Sequence, residues 1–206
     1  MERRVSLTAV HTTTDVVPCH YVYSDEVMTT RDRSLDAAVE LLGTEGLRAL
    51  THARVDARAG LPKGSTSNHF RTRRALLTGV MDHLLAHQWQ QVSRGFDVST
   101  AGDLVDVLCA LLERATGPDR VQTAARFALF VEAGHVAELR APLARGRATI
   151  EAPLILALAG LGVRDPRAAT AVVVPCLQGL LLRNISRLDD ADPRPVVSRV
   201  VQAVLG

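Results

Sequence analysis

Short polar side chains between Leu61 and Phe70 have the chemistry needed to read the edges of DNA bases. Small hydroxyl side chains let a helix backbone approach the bases closely, and they can donate or accept hydrogen bonds. A lysine suits O6 and N7 of guanine, and an asparagine suits N6 and N7 of adenine. The candidate side chains are Lys63, Ser65, Thr66, Ser67, Asn68 and His69. On an arbitrary helix such residues would simply cover a solvated face, so the segments around them decide the interpretation.

The residues before this run predict a helix-turn-helix. Apolar residues between positions 35 and 42 recur on one helical face, and Gly46 can end that helix in a left-handed conformation. Thr51 can cap a second, short helix, which Gly60 breaks. Pro62 suits the first turn of a third helix, where its missing N–H is not needed. Two short helices joined by a glycine turn can place the second of them in the DNA major groove.

The combined pattern resembles the TetR-type transcriptional regulators, tightly over residues 31–80 and loosely beyond them. The motifs that carry the resemblance are the helix over residues 31–42, Glu45-Gly46-Leu47, Leu50-Thr51, Ala59-Gly60-Leu61, Lys63-Gly64 before His69-Phe70, and Arg73-Arg74-Ala75-Leu76-Leu77. Many members have Leu-Tyr where this chain has Thr66-Ser67, and that tyrosine usually touches a phosphate. Ser67 is too short for the same contact. The resemblance implies an all-helical homodimer that binds double-stranded DNA.

Positive charge is concentrated on the same segment. Residues 31–80 contain nine basic and five acidic side chains, a net charge of +4, whereas residues 81–206 are balanced. An abundance of arginine would explain the number of basic residues but not their uneven pairing with acids. Neutralisation of DNA phosphates requires such an excess. We expect phosphate contacts from Thr51, Arg54, His69 and Arg73.

The composition favours an all-α fold. Apolar residues make up 47% of the chain and aromatic residues only 3%, so leucine, valine and alanine must fill the core. We predict a flexible N-terminal extension over residues 1–29, a three-helix DNA-binding head over residues 30–78, and an effector-binding and dimerisation domain over residues 79–206. One long helix over residues 73–94 is expected to join the head to this body.

The sequence contains none of the usual catalytic or cofactor motifs. It has no GxSxG elbow, P-loop, HExxH or dinucleotide fingerprint, so we expect neither an enzyme nor a bound cofactor. His83 and His87 could clamp a metal on one helix face, but a solvated pair is the simpler interpretation. Cys19, Cys109 and Cys176 are widely spaced and odd in number, which favours a reducing cytoplasm over disulfides. No continuous apolar stretch indicates a signal peptide or a membrane span.

The last two predicted helices, from Asp165 to about Leu188 and from Pro193 to Leu205, carry more apolar surface than one helix pair can bury. Two such pairs from two subunits would form a four-helix bundle, and a twofold dimer would require a pseudo-palindromic operator. The alternative is that these residues pack within one subunit. The candidate interface residues are Val172, Cys176, Gly179, Leu180, Val200 and Val204.

The segment between the head and the dimer face is where we expect a small-molecule effector. A mostly apolar cavity with a few polar groups is the usual form of such a site. The candidate residues are Trp89, Arg126, Phe127, Phe130 and His135. Each of them could instead belong to an ordinary core, and the sequence does not identify the ligand.

Three hypotheses for function follow. The first is a dimeric repressor that leaves its operator when an effector binds the body. The second is a constitutive regulator without an effector. The third is an all-helical enzyme, but the sequence contains none of the motifs that would support it. In the first hypothesis, the helix over residues 73–94 transmits the effector signal by changing the spacing of the two recognition helices.

Overall fold

The computed structural model describes residues 28–92, 98–188 and 191–206, and in these ranges the chain is helical without β-strands. The all-α prediction is therefore confirmed. The α-helices are α1 (Thr30–Glu45), α2 (His52–Arg58), α3 (Ser65–His69), α4 (Arg73–Val92), α5 (Ala101–Thr116), α6 (Arg120–Glu132), α7 (Arg140–Gly160), α8 (Pro166–Ile185) and α9 (Arg194–Leu205). Two 3-10 turns, Leu47–Ala49 and Ala137–Leu139, precede α2 and α7. The predicted N-terminal extension falls almost wholly outside the described residues.

Caps and glycines set most of the helix ends near α2 and α3. Gly46 follows α1 with a φ of 81°, and the Thr51 hydroxyl accepts a hydrogen bond from the Arg54 amide, as the sequence predicts. The prediction that Pro62 lies in the first turn of α3 is wrong. A second glycine, Gly64, adopts a left-handed φ of 90° immediately before Ser65, so the turn is longer and includes the proline.

The helices pack around two apolar cores. The first core lies among helices α1, α2 and α4 and also contains Ala125 and Leu129 of α6. The second core is built from α5, α7, α8 and α9. Phe127, on another side of α6, packs against the second core. The predicted domain boundary at residue 78 therefore does not separate two cores, because α6 belongs to both.

Helices α1 and α6 cross in close contact at Gly43. A Cβ atom at this position would lie 2.2 Å from the carbonyl oxygen of Val121, which is far inside van der Waals contact. Only glycine fits without displacing the α6 backbone. In addition, Arg74 of α4 pairs with Glu138, after α6, at 2.8 Å, and the His83 ring of α4 lies 2.7 Å from an Asp36 carboxylate oxygen of α1. The predicted head is thus attached to the body along α6 as well as through α4.

Candidate DNA-binding interface

The α2–turn–α3 unit is built around a buried carboxylate, that of Asp56, which is 3% exposed. One of its oxygens accepts a hydrogen bond from the Thr66 amide at 2.8 Å and another from the Thr66 hydroxyl at 2.5 Å. The other oxygen accepts from the Gly64 amide at 2.8 Å. The first N–H groups of any helix lack partners within that helix, and glycine has no side chain to cap them. Asp56 of α2 therefore supplies the cap that α3 cannot make for itself.

Hydrogen bonds keep this carboxylate ionised. Burial alone would raise the pKa of Asp56, but the hydrogen bonds from the Thr66 hydroxyl and from the Thr66 and Gly64 amides outweigh it and lower the pKa. His52, one turn earlier on α2, adds an electrostatic contribution in the same direction. The His52 ring also lies 2.6 Å from the Phe70 carbonyl oxygen at the end of α3. Both ends of α3 are thus attached to α2.

The prediction that Thr66 contacts DNA is corrected by this arrangement. Its side chain is completely buried, and its hydroxyl is used by Asp56, with the Ser34 hydroxyl 3.4 Å away. A residue in the middle of a run of polar side chains carries no sequence signal that it faces inward. The inward position becomes clear only when α1 and α2 are packed against α3.

The other candidates on and beside α3 are more accessible. Lys63, Ser67, Asn68 and His69 are exposed, and Ser65 is half-buried. The two serine hydroxyls donate to the carbonyl oxygens of Pro62 and Gly64, at 2.7 and 2.8 Å. The side chains of Lys63 and Asn68 form neither a hydrogen bond nor an ion pair with any residue of the described part. These two side chains are therefore available to an external partner.

Many of the arginines that gave this segment its positive charge are engaged within the protein. Arg54 pairs with Glu45, which lowers the pKa of that carboxyl group. Arg58 donates to both Glu40 and Glu45. Arg73 donates to the Leu47 carbonyl oxygen at 3.0 Å, and its guanidinium lies 3.7 Å from Glu132. Phosphate contacts by Arg54 or Arg73 would compete with these interactions.

Two other arginines were not among the predicted site residues. Arg48, just before α2, and Arg71, just after α3, are both exposed, and neither forms an ion pair with any described residue. The count of basic residues included them, but it could not distinguish paired from unpaired arginines. Together with Lys63 they provide the unpaired positive charge around α3.

The sequence matches two family descriptions that together cover most of the chain. Residues 35–80 match "Bacterial regulatory proteins, tetR family", and residues 99–206 match "Tetracyclin repressor-like, C-terminal domain". The chain belongs to the TetR family. No curated protein matches the sequence significantly.

Solved structures of TetR-family regulators share the fold. The multidrug binding protein EbrR complexed with ethidium is 25% identical, with a TM-score of 0.69 over 86% of this chain and 99% of the other. A transcriptional regulator from Rhodococcus sp. Rha1 is 20% identical, with a TM-score of 0.74 over 86% and 96%. A TetR-family member from Streptomyces coelicolor A3 is 23% identical, with a TM-score of 0.65 over 86% and 98%. The match to each of the three extends over both the head and the body of this chain.

The predicted effector residues of this TetR-family chain whose side chains the structure describes do not all face one place. Arg126 and Phe127 are partly buried on α6, but Phe130 is 57% exposed and His135 lies on the surface after α6. Phe130 and His135 therefore do not line an enclosed site within this subunit. The Trp89 side chain lies outside the described residues. Among the described residues, no cluster of three or more histidine, cysteine or carboxylate side chains could hold a metal ion.

The predicted dimer residues separate into two groups. Val172 is 55% exposed, Gly179 borders open space, and Cys176 is half-buried. The others, Leu180, Val200 and Val204, are partly buried against the second core of their own subunit. The apolar face of α9 packs on α5 and α8, with Val197 and Val201 fully buried there, so part of this face is used within one subunit.

Replacing Asp56 by asparagine should weaken specific DNA binding and destabilise the protein by about 1–3 kcal/mol. An amide can accept on only one side, and it would point a second donor at the Gly64 or Thr66 amide. Because folding lowers the pKa of Asp56, its contribution to stability is fully present above the ordinary pKa of an aspartic acid and is lost as the pH falls through the lower folded pKa. Wild type should therefore lose more stability on acidification than the variant.

Chemical denaturation at pH 7 and at pH 3, with DNA titrations at pH 7, measures both effects. Asp82→Asn is the matched control, since Asp82 is an exposed partner of Arg145 at 3.3 Å. Equal stability and equal DNA affinity of the Asp56 and Asp82 variants would show that the buried carboxylate does not position α3.

Proposed function

We propose that this chain is a repressor that binds a pseudo-palindromic operator as a homodimer and releases it when a small molecule binds the body. The observation that carries the DNA-binding part is the capped helix α3. It is attached at both ends to α2, and it presents side chains of Lys63 and Asn68 that have no partner in the described part of the protein. A rigid helix with uncommitted donors and acceptors is what reading of base edges in the major groove requires.

Phosphate contacts would come from groups that flank this helix. Arg48 and Arg71 are exposed and unpaired within the described residues, and Thr51 and His69 are also at the surface. Arg54 and Arg73 would join them only by giving up part of their contacts with Glu45 and with the Leu47 carbonyl. Neutralisation of these phosphates releases counterions, so affinity should fall steeply with salt.

The surface that best supports dimerisation is an exposed apolar face on α7 and α8. Leu156 is 73% exposed, Val172 55% and Leu182 48%. By length and composition α8 could even span a membrane, with a mean hydropathy of 1.4 over its most apolar window. In a TetR-family body, the same apolar surface fits a four-helix bundle made of α7 and α8 from two subunits. Gly179 of α8 borders open space and has no side chain, so a helix of the second subunit could approach α8 closely there, which supports this arrangement.

The EbrR structures contain ethidium, imidazole or proflavin, and this supports a small organic molecule as the effector of the present chain. An effector can shift the DNA-binding equilibrium only by its difference in affinity between the two conformations. In this chain α6 contacts both the body core and α1 of the head, at Gly43 and Val121. We therefore assign α6 a role in transmission beside α4, the helix predicted to carry the signal.

Alanine at Lys63 or Asn68 should weaken binding to the chain's own operator by about 1–3 kcal/mol without loss of helical content. The operator is first isolated by selection from random duplex DNA, and affinities are then measured at several salt concentrations. Arg147→Ala, on an exposed ion pair of the body with Glu151, is the control. Operator affinity that stays at the wild-type value in both head variants would refute the role of α3.

Glutamate at Val172 should dissociate the proposed dimer, because two carboxylates would be buried next to each other across the twofold axis. The dissociation constant should rise about tenfold or more, which sedimentation of the full chain over a range of concentrations measures. Val131→Glu is the matched control, since Val131 is 70% exposed on α6. A variant that sediments as the wild type does, or a wild-type chain that is monomeric throughout, would contradict this interface.

A further inference from the structure

The side chain of Arg120 joins the start of α6 to the end of α8. Its guanidinium donates through Nη1 to Asn184 Oδ1 at 2.7 Å, and through Nη2 to the carbonyl oxygens of Asn184 and Ile185 at 3.2 and 3.1 Å. The last carbonyl groups of a helix have no partner within that helix, and a cation beside them also interacts favourably with the helix dipole. Arg120 therefore caps the C-terminal end of α8 from another helix.

The position of Arg120 is unfavourable for α6 itself. Arg120 is the first residue of α6, where the helix dipole favours an acidic side chain, and the first turn of α6 contains none. Local helix preferences therefore do not account for a cation at this position, whereas the contact with α8 does. Arg120 and Asn184 are both half-buried, so water and salt screen their contact less than they screen a pair on the surface.

The residue that follows Arg120 makes the close contact between α6 and the head. A Cβ atom at Gly43 of α1 would lie 2.2 Å from the Val121 carbonyl oxygen, so the two backbones touch there. Adjacent residues of one helix cannot move independently, because the backbone hydrogen bonds of the helix fix their relative position. The end of α8 is thus linked to α1 through two neighbouring residues, Arg120 and Val121.

This link begins on one side of α8, and the surface that we propose as the dimer interface lies on the other. Leu182, which is 48% exposed, belongs to the proposed interface, and Asn184 follows it by two residues. Residues two apart point to opposite sides of a helix, since each residue turns the helix by about 100°. One side of α8 can therefore face the second subunit while the end of its other side contacts Arg120.

We propose that Arg120 is a positioning residue that sets the distance between the two recognition helices, and with it the spacing of operator half-sites that the protein accepts. In a dimer joined through α8, the Arg120 contact and the Gly43 crossing together fix each head relative to the interface. Half-sites must lie about one turn of DNA apart, or a multiple of it, so a displaced head loses its half-site. Because this role presupposes dimeric DNA binding, it rests on the proposed function and names a residue that controls which operators are bound.

The test compares operators that differ only in the number of base pairs between their half-sites. The half-sites are those selected from random duplex DNA, and one or two base pairs are inserted or removed at the centre. One base pair turns a half-site by about 35°. Wild type should therefore bind the selected spacing about tenfold more tightly than the others. Arg120→Met should reduce this ratio to about threefold or less, since the methionine side chain cannot donate to α8.

The ratio between spacings separates positioning from a merely structural role. A loss of stability, or of one positive charge, would weaken binding to every spacing by the same factor and leave the ratio as in wild type. Arg140→Met is the matched control. Arg140 donates to the carbonyl oxygens of Ala133 and Gly134 at the end of α6, at 3.2 and 3.3 Å, a contact of the same chemistry that does not involve α8. Its spacing ratio should equal that of wild type.

Asn184→Ala is a second variant, which removes the side-chain acceptor of Arg120 and leaves the two carbonyl acceptors. It should reduce the ratio less than Arg120→Met does, and the double variant should reduce it no further than Arg120→Met alone. If Arg120→Met does not fold, Asn184→Ala decides alone, and an unchanged ratio would overturn the inference.

The outcomes also separate this inference from the proposed function. A wild type that distinguishes the spacings, with an Arg120→Met variant that distinguishes them equally well, would overturn the role of Arg120 and leave dimeric operator binding standing. A wild-type chain that binds all spacings with equal affinity would overturn both.

Discussion

The crossing of α1 and α6 at Gly43 is the contact through which head and body form one structure. With the Val121 carbonyl oxygen 2.2 Å from the place of a Cβ atom, the two backbones are as close as a side-chain-free residue allows. Close-packed elements of this kind cannot slide independently. A displacement of α6 must therefore either move α1 or break the contact. The apolar core that α6 shares with α1 and α4 makes the second outcome costly.

Within the head, the buried Asp56 carboxylate has a comparable role at smaller scale. It replaces apolar packing between α2 and α3 with hydrogen bonds of fixed direction, to the amides of Gly64 and Thr66 and to the Thr66 hydroxyl. A buried network in which every polar group has its hydrogen bonds favours one arrangement of the two helices over similar alternatives. It thereby fixes which face of α3 is turned outward. The crossing sets where the head sits, and the carboxylate sets how its recognition helix is oriented.

The sequence predicts local features such as helix ends well, but it predicts contacts between distant segments poorly. The helix-turn-helix, the cap at Thr51 and the family follow from short motifs, because neighbouring residues determine helix ends. The inward turn of Thr66 depends on Asp56, ten residues away, and the burial of the α9 valines depends on α5. The need for glycine at position 43 depends on Val121. Such contacts between distant segments leave no periodic pattern, so polar and apolar candidates that look equivalent in sequence separate only in the fold.

The coupling claim is tested most directly by hydrogen exchange of the full chain with and without its selected operator. Linkage is reciprocal: if a change in α6 alters DNA affinity, DNA binding must alter α6. The account predicts slower exchange in α3 and also in residues 121–129 of α6, with no change in α9, which packs on α5 and α8. Slower exchange confined to the first three helices, with α6 as unaffected as α9, would contradict it.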